Sequence, residues 1–139
     1  MGNGNGMSTT IESVGRTAVA PFFVVSAVME VGAAVALLAA PDLAMRLVFG
    51  SSGTAAGLAL GRLAGGALLS LGVACWLARL DVASAASKAL VSGMLTYNAA
   101  VVALVLTGSL GSLGPLLSGL ALLHGGMALW SLQLLRSRR

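Results

Sequence analysis

The sequence predicts an all-α integral membrane protein, an antiparallel up-down four-helix bundle with both termini on the same side. Of the 139 residues, 58% are hydrophobic and only 9% are charged, whereas soluble domains carry about a quarter charged residues. The mean hydropathy is +0.98. Four apolar stretches approach the roughly 20 residues that cross a bilayer as a helix. A soluble globular fold is therefore excluded, as is a disordered or collagen-like chain, since Pro occurs only 3 times.

A polar tail precedes the first apolar stretch. Residues 1–15 offer little to bury, so we expect them to be disordered, and residues 16–139 form the transmembrane domain. The first span is predicted at residues 17–40. A cleaved signal peptide is the alternative for this segment. Its apolar stretch exceeds the usual 7–15 or so residues of such peptides and contains Glu30, which favours a retained helix.

Residues 41–50 predict a short helix that lies along the membrane interface. Leu43 and Leu47 share one face, and Asp42 and Arg46 share another, which is typical of an interfacial amphipathic segment. The other three spans follow from hydropathy alone. They are predicted at residues 54–77, 89–107 and 115–135, separated by a polar loop at 79–88 and an uncharged link at 108–114.

Basic residues flank these spans unequally. Four spans place the N-terminus, the second loop and the C-terminus on one side, with Arg46 alone on the other side. Because basic flanks stay in the cytoplasm, we expect both termini to be cytoplasmic in a bacterial inner membrane. The net charge of +4 then indicates anionic lipid headgroups, and not nucleic acid, as the partner. The basic residues on the first side are Arg16, Arg79, Lys88, Arg136, Arg138 and Arg139.

Each span also carries a polar side chain near its middle. Counted from the predicted outer ends at about 1.5 Å per residue, the spans place four of these side chains roughly 12–15 Å deep. They therefore predict one polar layer near the membrane midplane. Its members are Glu30, Arg62, Asn98 and His124, with Tyr97 beside Asn98.

Two interpretations of this layer remain open. A buried charge needs a partner, so Glu30 is predicted to pair with Arg62, while Asn98 and His124 add hydrogen bonds. The layer is then either an internal polar lock that sets the helix order, or a binding or proton-relay site. Tyr97 is interpreted as a packing residue whose hydroxyl is hydrogen-bonded.

No catalytic or metal site is predicted. One His with one carboxylate provides too few ligands for a metal, and the single Cys75 lies in an apolar run, as a small buried hydrophobe does. We expect no cofactor, no catalytic residue and no enzymatic activity. A subunit of a membrane oxidoreductase remains the enzymatic alternative.

Small residues in the second span predict close helix packing. Gly57, Gly61 and Gly65 recur every four residues, a spacing that lets helices approach each other. The packing is either within the chain or between chains. Besides membrane lipids, the expected partners are therefore another copy of the chain or a subunit of a membrane complex.

Three segments carry a family resemblance: GRLAGGALLSLGVACW at 61–76, LTYNAAVVAL at 95–104 and LALLHGGMALW at 120–130. With its length and helix number, and with an Arg followed by spaced glycines, the chain resembles small uncharacterised bacterial proteins of the broad DoxX-like type. The resemblance implies a bundle fold. Some of those proteins are linked to quinone or thiosulfate oxidation complexes, but no residue here matches a catalytic motif, so no reaction is implied.

A narrower resemblance concerns Glu30, which is followed by Val31 and Gly32. Small multidrug-resistance transporters are similar in having four spans and a membrane Glu in the first. This implies a proton-coupled exporter that uses Glu30, although Arg62 would compete with a cationic substrate. The leading hypothesis is a non-enzymatic bundle whose polar layer binds a small amphipathic, lipid-like ligand or stabilises a subunit of a complex. The exporter is the alternative.

Overall fold

The computed structural model describes residues 5–108 and 116–137, with side chains from residue 18 onward. In these ranges the regular structure is entirely helical, which confirms the all-α class. Four of the five described helices are long and apolar enough to cross a membrane. The helices are α1 (Asn5–Ala39), α2 (Pro41–Phe49), α3 (Ala55–Ala78), α4 (Ala85–Leu106) and α5 (Leu117–Arg136).

The candidate membrane spans agree with the predicted ones to within two residues at every end except the start of α4. This helix begins at Ala85, four residues before the predicted span, because Ser84 caps it. The Ser84 hydroxyl accepts the backbone N–H of Ser87 at 3.1 Å, which satisfies a free donor of the first turn. Lys88 therefore lies in α4 and not in the preceding loop.

Helix α1 begins well before the membrane span. Its backbone is helical from Asn5, so most of the segment for which disorder was predicted continues the helix, and residues 1–4 lie outside the described residues. The prediction considered only what the tail could bury. A helix that is already nucleated extends by one hydrogen bond per added residue, and the apolar part of α1 provides that nucleus.

Helix α2 confirms the short helix predicted between the first two spans. It begins at Pro41, whose missing N–H is harmless in the first turn. Arg46 Nε donates to Asp42 Oδ2 at 2.9 Å across one turn. Gly50 ends the helix in the left-handed region (φ 75°) and donates its N–H to the Arg46 carbonyl.

Helices α1 and α3 pack closely against each other. A Cβ on Gly72 would lie 2.8 Å from Val31 Cγ2, and a Cβ on Gly65 would lie 3.2 Å from the Ala34 carbonyl oxygen. The higher residue on α3 therefore meets the lower residue on α1, so the two helices are antiparallel. Gly57 and Gly61 have looser surroundings, because a Cβ added at either position would have no neighbour closer than 3.4 Å.

Helices α4 and α5 form the second close pair, and α5 also contacts α1. The Phe22 and Trp130 rings meet edge to face with centroids 5.5 Å apart. At the other end of the bundle, the Leu116 N–H donates to the Leu47 carbonyl at the end of α2. Helix α5 therefore runs antiparallel to α1, and the inner faces of the helices enclose a core of large apolar side chains. That core contains Val19, Phe22, Phe23, Val91, Met94, Met127 and Leu134.

Candidate functional site

Polar side chains interrupt the buried face of α1. Phe22, Phe23, Ser26, Glu30 and Ala34 follow each other at spacings of one, three or four residues and are all buried, which is the pattern of one helix face. Glu30 is only 2% exposed. Within the part of the chain that the structure describes, its carboxylate has no hydrogen bond and no ion pair.

Asn98 on α4 and His124 on α5 are joined by a hydrogen bond. His124 Nδ1 lies 2.7 Å from Asn98 Oδ1, and His124 and Asn98 are 6% and 1% exposed, respectively. The Asn98 amide also donates through Nδ2 to the Met94 carbonyl at 2.7 Å. This contact links the two helices of the second pair and supports a locking role for these two residues.

Tyr97 is half buried and packs on the same imidazole. The Tyr97 and His124 rings meet edge to face, with centroids 5.5 Å apart and planes at 85°. This ring contact agrees with the packing interpretation of Tyr97, and the hydrogen bond expected for its hydroxyl stays a prediction.

Glu30 lies at the level of His124 along the bundle. Glu30 follows Phe22 by eight residues, and His124 precedes Trp130 by six. Measured from the Phe22–Trp130 contact, both lie roughly 9–12 Å further along their antiparallel helices. Four of the five predicted polar residues thus share one level, and we call Glu30, Tyr97, Asn98 and His124 the polar cluster.

Arg62 does not belong to this cluster. Its side chain is exposed, and its neighbour Gly61 lies nearest to Leu37 and Pro41, at the end of α1. Glu30, by contrast, lies at the level of Gly72, ten residues further along α3. Arg62 and Glu30 are therefore separated by roughly 15 Å along the helix axes. No ion pair joins Glu30 to Arg62 in the described structure, so the predicted pairing is wrong.

The error has a geometric cause. The predicted depths were counted from the end of each span, which assumes that all four spans end at one level. Helix α3 instead extends past α1, where Gly57 lies near Met45 of α2. Arg62 is therefore close to the end of the bundle that carries α2, and not near its middle.

Three buried serines were not singled out from the sequence. Ser26, Ser87 and Ser131 are all at most 1% exposed. Ser131 donates to the Met127 carbonyl at 2.8 Å, whereas the Ser26 and Ser87 hydroxyls have no hydrogen-bond partner among the described residues. The signal for Ser26 was its position four residues before Glu30, which places both side chains on one helix face.

The surroundings of the polar cluster are apolar. Cys75 is fully buried, as its apolar run predicted, and among the described residues no group of three or more His, Cys, Asp or Glu side chains could hold a metal ion. A groove of about 610 Å³ between α1 and α3 reaches Ala27 and Val31, the near neighbours of Glu30. A second groove, of about 1070 Å³, lies between α4 and α5.

Comparisons with known proteins identified no relative of this chain. No protein-family model matches the chain, and no curated protein or solved structure matches it either. The geometry of the polar cluster is therefore the basis on which a function is inferred.

Proposed function

We propose that the chain is a multi-pass protein of a bacterial inner membrane that binds a small amphipathic, lipid-like molecule by its polar end. The polar cluster is the proposed binding site, and Glu30 is its central residue. The observation that carries this proposal is the buried Glu30 carboxylate, which has no hydrogen bond and no ion pair in the described residues.

The free-energy cost of burying the Glu30 carboxylate without a partner favours a bound ligand at this position. An unpaired carboxylate in an apolar environment costs several kcal/mol, and ionisable residues inside membrane helices are most often functional. Asn98 Oδ1 and His124 Nδ1 are each other's hydrogen-bond partners within the chain. Glu30 has no such partner, so a bound polar group would supply the interaction that the chain does not.

The proposal is tested by purifying the chain in nanodiscs and weighing bound small molecules by native mass spectrometry. We expect the wild-type protein to retain amphiphiles of one mass class, and Glu30→Gln to lose them. Arg62→Gln is the matched control, because it neutralises a charge on a neighbouring helix outside the cluster. Equal retention by wild type and Glu30→Gln would contradict the proposal.

A proton-coupled exporter is the second candidate function, and one observation favours it. Arg62 lies far from Glu30, so it does not compete with a cationic substrate there. Cells that overproduce the chain would then resist amphipathic cations, and the purified protein would release protons when it binds them. An absence of both effects in the wild type would remove this candidate.

Two further expectations from the sequence are kept as predictions. The resemblance to DoxX-like proteins and the association with another copy or with a membrane complex stay predictions. Mass spectrometry of the intact assembly tests the second of these, because a partner chain would appear as an added mass.

A further inference from the structure

We infer that the ligand of the polar cluster is an amphiphile whose polar end is a protonated amine with N–H donors, and that His124 selects it. The inference rests on the proposed function and names the chemical class of its ligand. The observations behind it are the hydrogen bonds of Asn98 and the two acceptors that have no partner among the described residues, His124 Nε2 and the Glu30 carboxylate.

The hydrogen bond to Met94 fixes the orientation of the Asn98 amide. A backbone carbonyl oxygen can only accept a hydrogen bond. The Asn98 atom that lies 2.7 Å from the Met94 carbonyl is therefore the amide nitrogen. The other terminal atom, Oδ1, consequently faces His124.

The Asn98 amide in turn fixes the position of the proton on the His124 imidazole. Asn98 Oδ1 can only accept, so His124 Nδ1, at 2.7 Å, must carry a proton and donate it. In a neutral imidazole the other ring nitrogen, Nε2, then has no proton and is an acceptor. Asn98 is thus a positioning residue, because it holds His124 in one tautomer with Nε2 directed away from α4.

Glu30 and His124 leave hydrogen-bond acceptors at the same level of the bundle. Glu30 and His124 Nε2 are both acceptors, and no ion pair within the described residues joins them. The buried Ser26 hydroxyl, one turn before Glu30, also lacks a partner there. A group with a positive charge and several N–H donors satisfies the carboxylate and Nε2 together. A quaternary ammonium has no N–H to offer, and a carboxylate headgroup would be repelled by Glu30.

The bundle also has room for an apolar tail. The groove between α1 and α3 has a volume of about 610 Å³ and is lined by Ala27, Val31, Gly72 and Trp76, among others. Such a volume lies in the usual range for sites that bind small molecules. Because Ala27 and Val31 flank Glu30 on α1, a tail in this groove lies at the level of the polar cluster along the bundle.

The test compares three probes with the same twelve-carbon tail: dodecylammonium, dodecyltrimethylammonium and dodecanoate. Calorimetry in phosphatidylcholine nanodiscs, with protein-free nanodiscs subtracted, measures binding to each. We expect wild type to bind dodecylammonium about tenfold more tightly than dodecyltrimethylammonium, as one charge-assisted hydrogen bond provides, and dodecanoate more weakly still. Glu30→Gln should weaken the binding of both cations.

His124→Phe isolates the selective residue. It keeps an aromatic ring against Tyr97 but removes Nε2, so the preference for dodecylammonium should fall well below tenfold, to the part that N–H groups donated to Glu30 provide, while binding of the quaternary cation is retained. Arg62→Gln should bind all three probes as wild type does. A tenfold preference that persists in His124→Phe would overturn the inference.

A second measurement does not depend on any variant. Nitrogen NMR of the ligand-free protein should show His124 protonated at Nδ1 and unprotonated at Nε2, and the reverse assignment would overturn the inference. If no probe of any headgroup binds, the proposed function itself fails. If amphiphiles bind through Glu30 without preference for the amine, only the inference fails.

Discussion

Glu30 is buried at the inner face of α1, and its environment differs from that of the other charged residues. Asp42 pairs with Arg46 on the surface of α2, and the Arg79 guanidinium stacks over the Trp76 ring at 3.7 Å. Arg62 lies ten residues along α3 from the level of Glu30. At the scale of single residues, the other charged side chains that the structure describes therefore lie toward the ends of the bundle, and the Glu30 carboxylate lies in its middle.

The separation of Glu30 from Arg62 predicts how their substitutions combine. Because the two side chains share no contact, the losses or gains in unfolding free energy of Glu30→Gln and Arg62→Gln should add to within about 0.5 kcal/mol in the double variant. Unfolding in detergent, followed by circular dichroism, measures the three values. If the double variant recovered much of a loss seen in each single variant, the two residues would be coupled, which would contradict their separation along the bundle.

The residue types of the polar cluster could be predicted from the sequence, because a polar side chain in an apolar run is visible without a structure. The common depth of Glu30, Asn98 and His124 followed from helix rise. The placement of Arg62 could not be predicted in this way, since it depends on how far α3 slides along α1.

At the scale of elements, the spacing of glycines does not by itself identify the close contacts. Gly57, Gly61 and Gly65 repeat regularly, but the tightest approach to α1 is at Gly72, which lies outside this repeat. Gly66 lies beside Gly65 in the sequence and has no neighbour within 4 Å of an added Cβ. Which face of α3 meets α1 therefore decides the role of each glycine.

This difference predicts opposite outcomes for two equivalent substitutions. Gly72→Ala would place a methyl 2.8 Å from Val31 Cγ2 and 3.3 Å from the Ala27 carbonyl, and should destabilise the protein by about 1–3 kcal/mol through overpacking. Gly66→Ala, on the same helix, should be neutral or stabilising by up to about 1 kcal/mol. Thermal unfolding in detergent compares them, and equal effects would contradict the packing of α1 on α3.

At the scale of the whole molecule, the four long helices alternate in direction and leave the basic residues unequally distributed. The register of α3 adds Arg62 to the side of the bundle that carries α2, where Arg46 also lies. The other side still has more basic residues, so the bias that predicts orientation is reduced but keeps its sign.

The remaining bias predicts the topology in a bacterial membrane. Reporter fusions after Arg139 should fluoresce as cytoplasmic green fluorescent protein and be inactive as alkaline phosphatase. Fusions within the link between α2 and α3, after Ser52, should show the opposite behaviour. An active phosphatase after Arg139 would place the C-terminus outside and contradict the proposed orientation.

The sequence by itself determined the class of this protein, its four spans and the kinds of polar side chain that they bury. These follow from local hydropathy and helix rise, which depend only on neighbours along the chain. Only the tertiary structure decided that Asn98 orients His124 and that Arg62 lies away from the level of Glu30. The physical reason is that the axial offset between packed helices depends on which side chains interlock, as Gly72 does with Val31, and no local pattern records that offset.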